Sequence, residues 1–185
     1  LDCSYRDKSG EMASVIVDNG RSAYEAMLNT EGVSDANRAN CAKVLSCISE
    51  AAFQRSDIDT ISWTVEAMKN LQLPPSEETL TPSYFYAYRI YAGGNYERAL
   101  DLFKEMLLSN VKCDVAANAG YMMMVCYKHM DNIVAMAAVS DIVKGMYPEQ
   151  EYVLGRVRFL DEMIDGVKKD IDENEKLDLI DEILQ

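Results

Sequence analysis

Gly94-Asn95-Tyr96-Glu97-Arg98-Ala99-Leu100-Asp101-Leu102-Phe103-Lys104-Glu105-Met106 is the stretch that decides the fold of this chain. Ala99, Leu102, Phe103 and Met106 recur at the three- and four-residue intervals of an amphipathic helix. Gly93-Gly94-Asn95 ahead of them breaks any helix arriving from the N-terminal side. On that side Tyr84, Ala87, Tyr88 and Tyr91 show the same spacing, so a second helix precedes the turn. Thr81 is an N-capping type, and Pro82 sits where a first helical position loses nothing by lacking an N–H, so the spacing predicts that this helix starts at 81. Asp114 is placed to cap whatever helix follows. Thr81 to Val115 thus reads as helix, glycine turn, helix and exit.

The second helix echoes outward. Tyr24-Glu25-Ala26-Met27, Val65-Glu66-Ala67-Met68, Phe103-Lys104-Glu105-Met106 and, more faintly, Val139-Ser140-Asp141-Ile142 end at positions 27, 68, 106 and 142, intervals of 41, 38 and 36 residues. Eight residues beyond each stand Asp35, Ser76, Asp114 and Gln150, three of them capping types. Recurrence of one supersecondary unit at such intervals predicts stacked repeats. The expected fold is all-α, a right-handed α-α superhelix of about three to four helix-turn-helix repeats. A partial N-terminal repeat covers 1–34, helical hairpins cover 35–80, 81–115 and 116–146, and a C-terminal helical cap covers 147–185.

The central unit resembles the pentatricopeptide repeat family, whose units run tyrosine-rich helix, glycine turn, "EALxLFxxM" helix and Pro-Asp exit. Pro75, seven residues after Met68, matches that exit, and Cys113 before Asp114-Val115 replaces the proline in the central unit. The tetratricopeptide family is the close competitor, through Ala99-x3-Phe103 and Gly94-x-Tyr96; Met106 and Asp114-Val115 favour the pentatricopeptide likeness. The likeness runs from about 20 to 146 and is strong over 81–115. It implies an organellar, mitochondrial protein of RNA metabolism or translation whose repeats address bases of single-stranded RNA. The base-reading residues it implies are Tyr84 with Asp114 and, in the preceding unit, Ser46 with Ser76. In the following unit the position falls on Ala119 or Gly120, neither of which can read a base. Tyr84 departs from the small polar residue usual there; it would stack on a base, or pack against Tyr88.

Composition bears on that expectation. The 185 residues carry 18 Lys and Arg against 31 Asp and Glu, a net charge of −13, where phosphate binding calls for cations. Protein contacts are therefore the expected main job of this segment, its partner another protein or upstream repeats of the same chain, with neither DNA nor membrane. The alternative is a tetratricopeptide-like protein scaffold with no RNA contact. Opening on Leu1, the chain reads as either processed or a fragment, and with its N-terminal stretch taken as a truncated repeat it reads as the C-terminal region of a longer solenoid. Five cysteines at 3, 41, 47, 113 and 126, without a Cys-x-x-Cys pair, predict reduced, mostly buried thiols in an intracellular, reducing compartment.

Enzyme chemistry finds no footing. His129 is the single histidine and has no cysteine or acidic cluster at ligand spacing, and it reads as a solvent-exposed turn residue. Gly93-Gly94 lacks the Lys-Ser/Thr of a phosphate loop. Carboxylates such as Asp170, Asp172, Glu173 and Glu175 lie in solvated runs. No catalytic residue, metal ligand or cofactor is expected. Met122-Met123-Met124 suits a buried repeat interface or an adaptable surface.

After Tyr147-Pro148 a helix carries Tyr152, Val153, Val157, Phe159, Leu160, Met163, Ile164 and Val167 and reads as the cap. Beyond Lys168-Lys169, a final helix has Leu177, Ile180, Ile183 and Leu184 on one side and acids on the other. Those four residues either pack back on the repeats or dock in a partner's groove.

Overall fold

The computed structural model describes residues 11–29, 34–166 and 171–185. Cys3, the stretch from Tyr5 to Gly10, Val167, Lys168, Lys169 and Asp170 lie outside the described residues. All regular structure among the described residues is helical: α1 (Glu11–Leu28), α2 (Asp35–Gln54), α3 (Ile58–Asn70), α4 (Glu77–Ala92), α5 (Tyr96–Leu107), α6 (Asp114–His129), α7 (Ile133–Met146), α8 (Glu151–Ile164) and α9 (Glu173–Leu184). The chain forms two compact units, Leu1–Arg89 and Ile90–Gln185. In the first, α1 packs on α2 and α2 on α3; in the second, α5 packs on α6, α6 on α7, α8 on both α6 and α7, and α9 on α7.

One corner recurs three times and gives the repeat a geometric definition. At the ends of α2, α4 and α6 the chain turns through a left-handed residue, Ser56 (φ 60°), Gly94 (φ 83°) and Asp131 (φ 55°). The next residue, Asp57, Asn95 or Asn132, has nearly the same backbone each time, with φ of −85°, −88° and −95° and ψ of 85°, 77° and 82°. Its N–H reaches back five residues, to the carbonyls of Ala52 (2.9 Å), Ile90 (3.3 Å) and Tyr127 (2.9 Å). The left-handed residue bonds three back, to Phe53, Tyr91 and Lys128. Each corner therefore closes the leaving helix with a Schellman pair. The same Asp or Asn side chain then accepts from the N–H three residues on, at Thr60 (3.0 Å), Arg98 (3.2 Å) or Ala135 (3.0 Å). One residue finishes one helix and caps the next. Positions 57, 95 and 132 stand 38 and 37 residues apart.

The signature helices are α1, α3, α5 and α7. Tyr24, Val65, Phe103 and Val139 are all buried, as are Met68, Met106 and Ile142 at the signature's last position. Met122, Met123 and Met124 are buried as well, in favour of the interface reading of the methionines.

The start of α4 differs from the sequence expectation. Ser76, not Thr81, caps it: Thr79 N–H donates to Ser76 Oγ at 3.3 Å while Ser76 N–H donates to Thr79 Oγ1 at 2.7 Å. Pro82 consequently lies inside the helix. The reciprocal cap satisfies two donors where Thr81 would satisfy one, and that decides the start. Thr81 instead donates its hydroxyl to the Glu77 carbonyl.

Cysteine behaviour also departs from expectation at one position. Cys41, Cys113 and Cys126 are buried thiols outside any disulfide, and burial pushes the Cys126 thiol up to about 12. Cys47, in contrast, is disulfide-bonded, so the reduced-thiol expectation fails there.

Backbone contact within the units is set by glycines. A methyl on Gly20 would stand 2.6 Å from Ile48 Cγ1, and one on Gly120 would overlap Val143 and press on Leu107 at 3.1 Å. α1 meets α2 at the first point, and α6 meets α5 and α7 at the second. In the second unit Tyr147 is buried and donates to the Leu107 carbonyl at 3.2 Å; burial raises its hydroxyl to about 12. Buried Asp161 of α8 accepts from Ser140 at 3.0 Å and from Lys144, both of α7.

Gly120→Ala should cost about 1–3 kcal/mol in urea unfolding, with part recovered when Val143→Ala is added. Asp57→Ala should cost about 1 kcal/mol at neutral pH. The Thr60 backbone bond, foremost, holds the Asp57 carboxyl below its usual value. Its charge-dependent stabilisation is therefore complete above about pH 4 and lost as pH falls through the lowered folded value. Asn95→Ala should cost a similar amount with no such acid dependence, and unfolding titrations at pH 7 and pH 3 would separate the two.

Candidate binding face

The three corners fix a common register for the repeats. Ten residues before Ser56, Gly94 and Asp131 stand Ser46, Tyr84 and Tyr121; twenty residues after them stand Ser76, Asp114 and Glu151. In this register the following unit places Tyr121 opposite Ser46 and Tyr84, two residues beyond Ala119. Ala119 is buried, and Gly120 is the close-approach point against Val143.

In the first unit, Ser46 is half-buried in α2, with its carbonyl accepting from Ser49 Oγ at 2.7 Å. Ser76 Oγ serves the α4 cap and lies 3.0 Å from Glu78 Oε2. Tyr84 is half-buried, its ring edge-on to Phe85 at 6.0 Å. Tyr88, the expected neighbour of Tyr84, is edge-on to Phe53 at 5.3 Å. Phe53 also stacks on Phe85 at 4.6 Å and lies under the Arg89 guanidinium at 4.4 Å, with Arg89 donating to the Phe53 carbonyl. In the second unit Asp114 is exposed and opens α6, whose N-cap position is Cys113, and the Asp114 carbonyl accepts from Asn118 at 2.9 Å. A carboxylate in a first helical turn suits the positive end of the helix dipole.

Arginine again stacks on an aromatic ring between α6 and α8. Arg156 lies over Tyr121 at 3.8 Å, and its Nη1 donates to Asn118 Oδ1 at 2.6 Å. A cleft of about 420 Å³ opens beside this stack, lined by Tyr121, Glu151, Tyr152, Gly155, Arg156 and Phe159. Tyr152, Phe159 and Met163 are 75%, 63% and 51% exposed, while Val153, Val157, Leu160 and Ile164 of the same helix are buried. α8 therefore has one apolar face turned inward and a second, aromatic one facing out. The sequence signal for this second face is the surplus of apolar residues in α8 over what one helix face holds.

Elsewhere in the second unit, exposed His129 stacks on Tyr96 at 4.7 Å and lies 3.1 Å from Tyr91 Oη. Among the described residues no group of three or more His, Cys, Asp or Glu could hold a metal ion. No described helix is long and apolar enough to cross a membrane.

The four docking candidates of α9 divide. Ile183 is buried and Ile180 half-buried, whereas Leu177 and Leu184 are 55% and 46% exposed. Lys104 donates to the Glu182 carbonyl at 3.1 Å, and Lys176 pairs with Asp141 of α7 at 3.1 Å. Hydrogen bonding to Glu173, then to Asp141, raises the Lys176 ammonium above its ordinary value. The helix thus packs back on α7 and leaves only a leucine pair outward.

No protein-family model, curated protein or solved structure matches the chain.

Ile183→Ala should lower the unfolding free energy by about 2 kcal/mol, whereas Leu177→Ser should leave it within about 0.5 kcal/mol. Equal losses in urea unfolding would contradict this division of α9.

Proposed function

We propose that this chain is a helical-repeat binding module whose direct ligand is a protein. The wider setting we propose is RNA metabolism or mitochondrial translation, and it rests on the likeness of Thr81–Val115 to pentatricopeptide units. One observation carries the protein reading: four of the six residues that the corner register aligns, Ser76, Tyr121, Asp114 and Glu151, are engaged within the chain or carry charge unsuited to phosphate-bearing ligands. Ser76 holds the α4 cap, Tyr121 lies under Arg156, and Asp114 and Glu151 add carboxylates where polyanion binding wants cations.

The exposed aromatic face of α8 supports the same reading, since tyrosine, phenylalanine and arginine are favoured anchor residues of protein interfaces. Mitochondrial location enters by likeness alone.

The test is fluorescence anisotropy of a pool of single-stranded RNA with the purified chain at two salt concentrations. The expected outcome is no salt-sensitive binding. Binding that weakens steeply with salt, and again with Tyr84→Ala or Ser46→Ala, would replace this reading with direct base and phosphate contact.

A further inference from the structure

We infer that the α6–α8 cleft is a docking site for a short peptide segment of a partner protein, one that sets an Asp or Glu beside a large apolar side chain. The inference rests on the protein-binding reading above and names where and by what chemistry the contact is made.

Charge gives the first argument. In a chain of net charge −13, Lys128, Arg156 and Arg158 form no ion pair among the described residues. Lys128 Nζ lies 3.5 Å from Met163 Sδ, and Arg156 is held by the Tyr121 ring and the neutral Asn118 amide. A guanidinium has five donors in a planar fork. Stacking on an aromatic face fixes its plane and leaves the outer edge for a carboxylate, the partner its geometry matches.

Shape gives the second. Tyr152 and Phe159 stand one on each side of Arg156 along α8, two helical turns apart, and offer exposed aromatic walls. Gly155 lies between them, and a Cβ added there would meet nothing within 4 Å. Glycine inside a helix is unfavourable relative to any ordinary residue, and no close packing at this position explains it. Gly155 leaves the middle of the cleft unfilled, and the cleft's volume of about 420 Å³ is enough for an apolar side chain and its neighbour.

Glu151 sets the polarity of the occupant. Its carboxylate lines the same cleft one turn before Gly155, so the far end accepts a donor, such as a peptide N–H or a lysine, while Arg156 takes the acid. A run of phosphates along the cleft would meet Glu151 directly.

The test immobilises the full chain and selects it against a displayed library of random twelve-residue peptides, followed by anisotropy titration of the enriched sequences. Enriched peptides should place Asp or Glu within three residues of Phe, Trp or Leu. Arg156→Ala and Gly155→Leu should each weaken them about thirtyfold, as loss of a hot spot does. Gly155→Leu should also raise the melting temperature, which separates a blocked cleft from a damaged fold. Peptides without acids, no enrichment, or affinities unchanged by Gly155→Leu would overturn the inference. Peptide binding that survives Gly155→Leu but falls with Leu177→Ser and Leu184→Ser would overturn it while leaving the protein-binding reading intact. Single-stranded RNA binding lost with Gly155→Leu would overturn both.

Discussion

Three helix pairs of this chain, α2–α3, α4–α5 and α6–α7, hang on a corner in which one side chain serves two helices. At Asp57, Asn95 and Asn132 the backbone N–H terminates the preceding helix, and the side-chain oxygen starts the following one. The left-handed residue before it fixes the direction of the turn. Helix ends leave unsatisfied groups on both sides of a connection, and this corner satisfies some of them within the chain rather than by water. The corner also sets the register in which residues of successive repeats are equivalent. That register aligns Tyr84 with Tyr121 and places Glu151 with Ser76 and Asp114.

Packing completes what the corner begins. Gly20 and Gly120 let backbones approach where any side chain would collide with Ile48 or Val143. Buried methionines fill the space between α6 and its neighbours, for which flexible thioethers are suited. At the C-terminal end, Asp161 joins α8 to Ser140 and Lys144 of α7, and Ile183 seats α9.

The arginines show how an acidic chain uses its few cations. Arg21 lies over Trp63 at 4.7 Å, Arg89 over Phe53 at 4.4 Å and Arg156 over Tyr121 at 3.8 Å. Each is held by a ring rather than by a carboxylate. A weakly hydrated guanidinium stacks at little desolvation cost and keeps its edge for hydrogen bonds. Arg21 and Arg89 spend that edge on Thr60 and on the Phe53 carbonyl. Arg156 spends part of it on Asn118 and faces the open cleft with the rest.

The sequence by itself determined the helical class, the glycine turn at 93–95 and the buried faces of the signature helices, because spacing at 3.6 residues and capping chemistry are local. Two of the three corners escaped it, since Ser56-Asp57 and Asp131-Asn132 lack the glycine that marks Gly94-Asn95. The start of α4 escaped it because Thr81-Pro82 and Ser76-x-x-Thr79 are both competent starts, and only the reciprocal bond chooses between them. Tertiary structure alone decided which apolar residues of α8 and α9 face outward. Val153 and Tyr152, or Ile183 and Leu184, are chemically alike to a periodicity argument. Which of them meets a neighbour depends on how α8 and α9 seat on α6 and α7, a contact between residues distant in sequence.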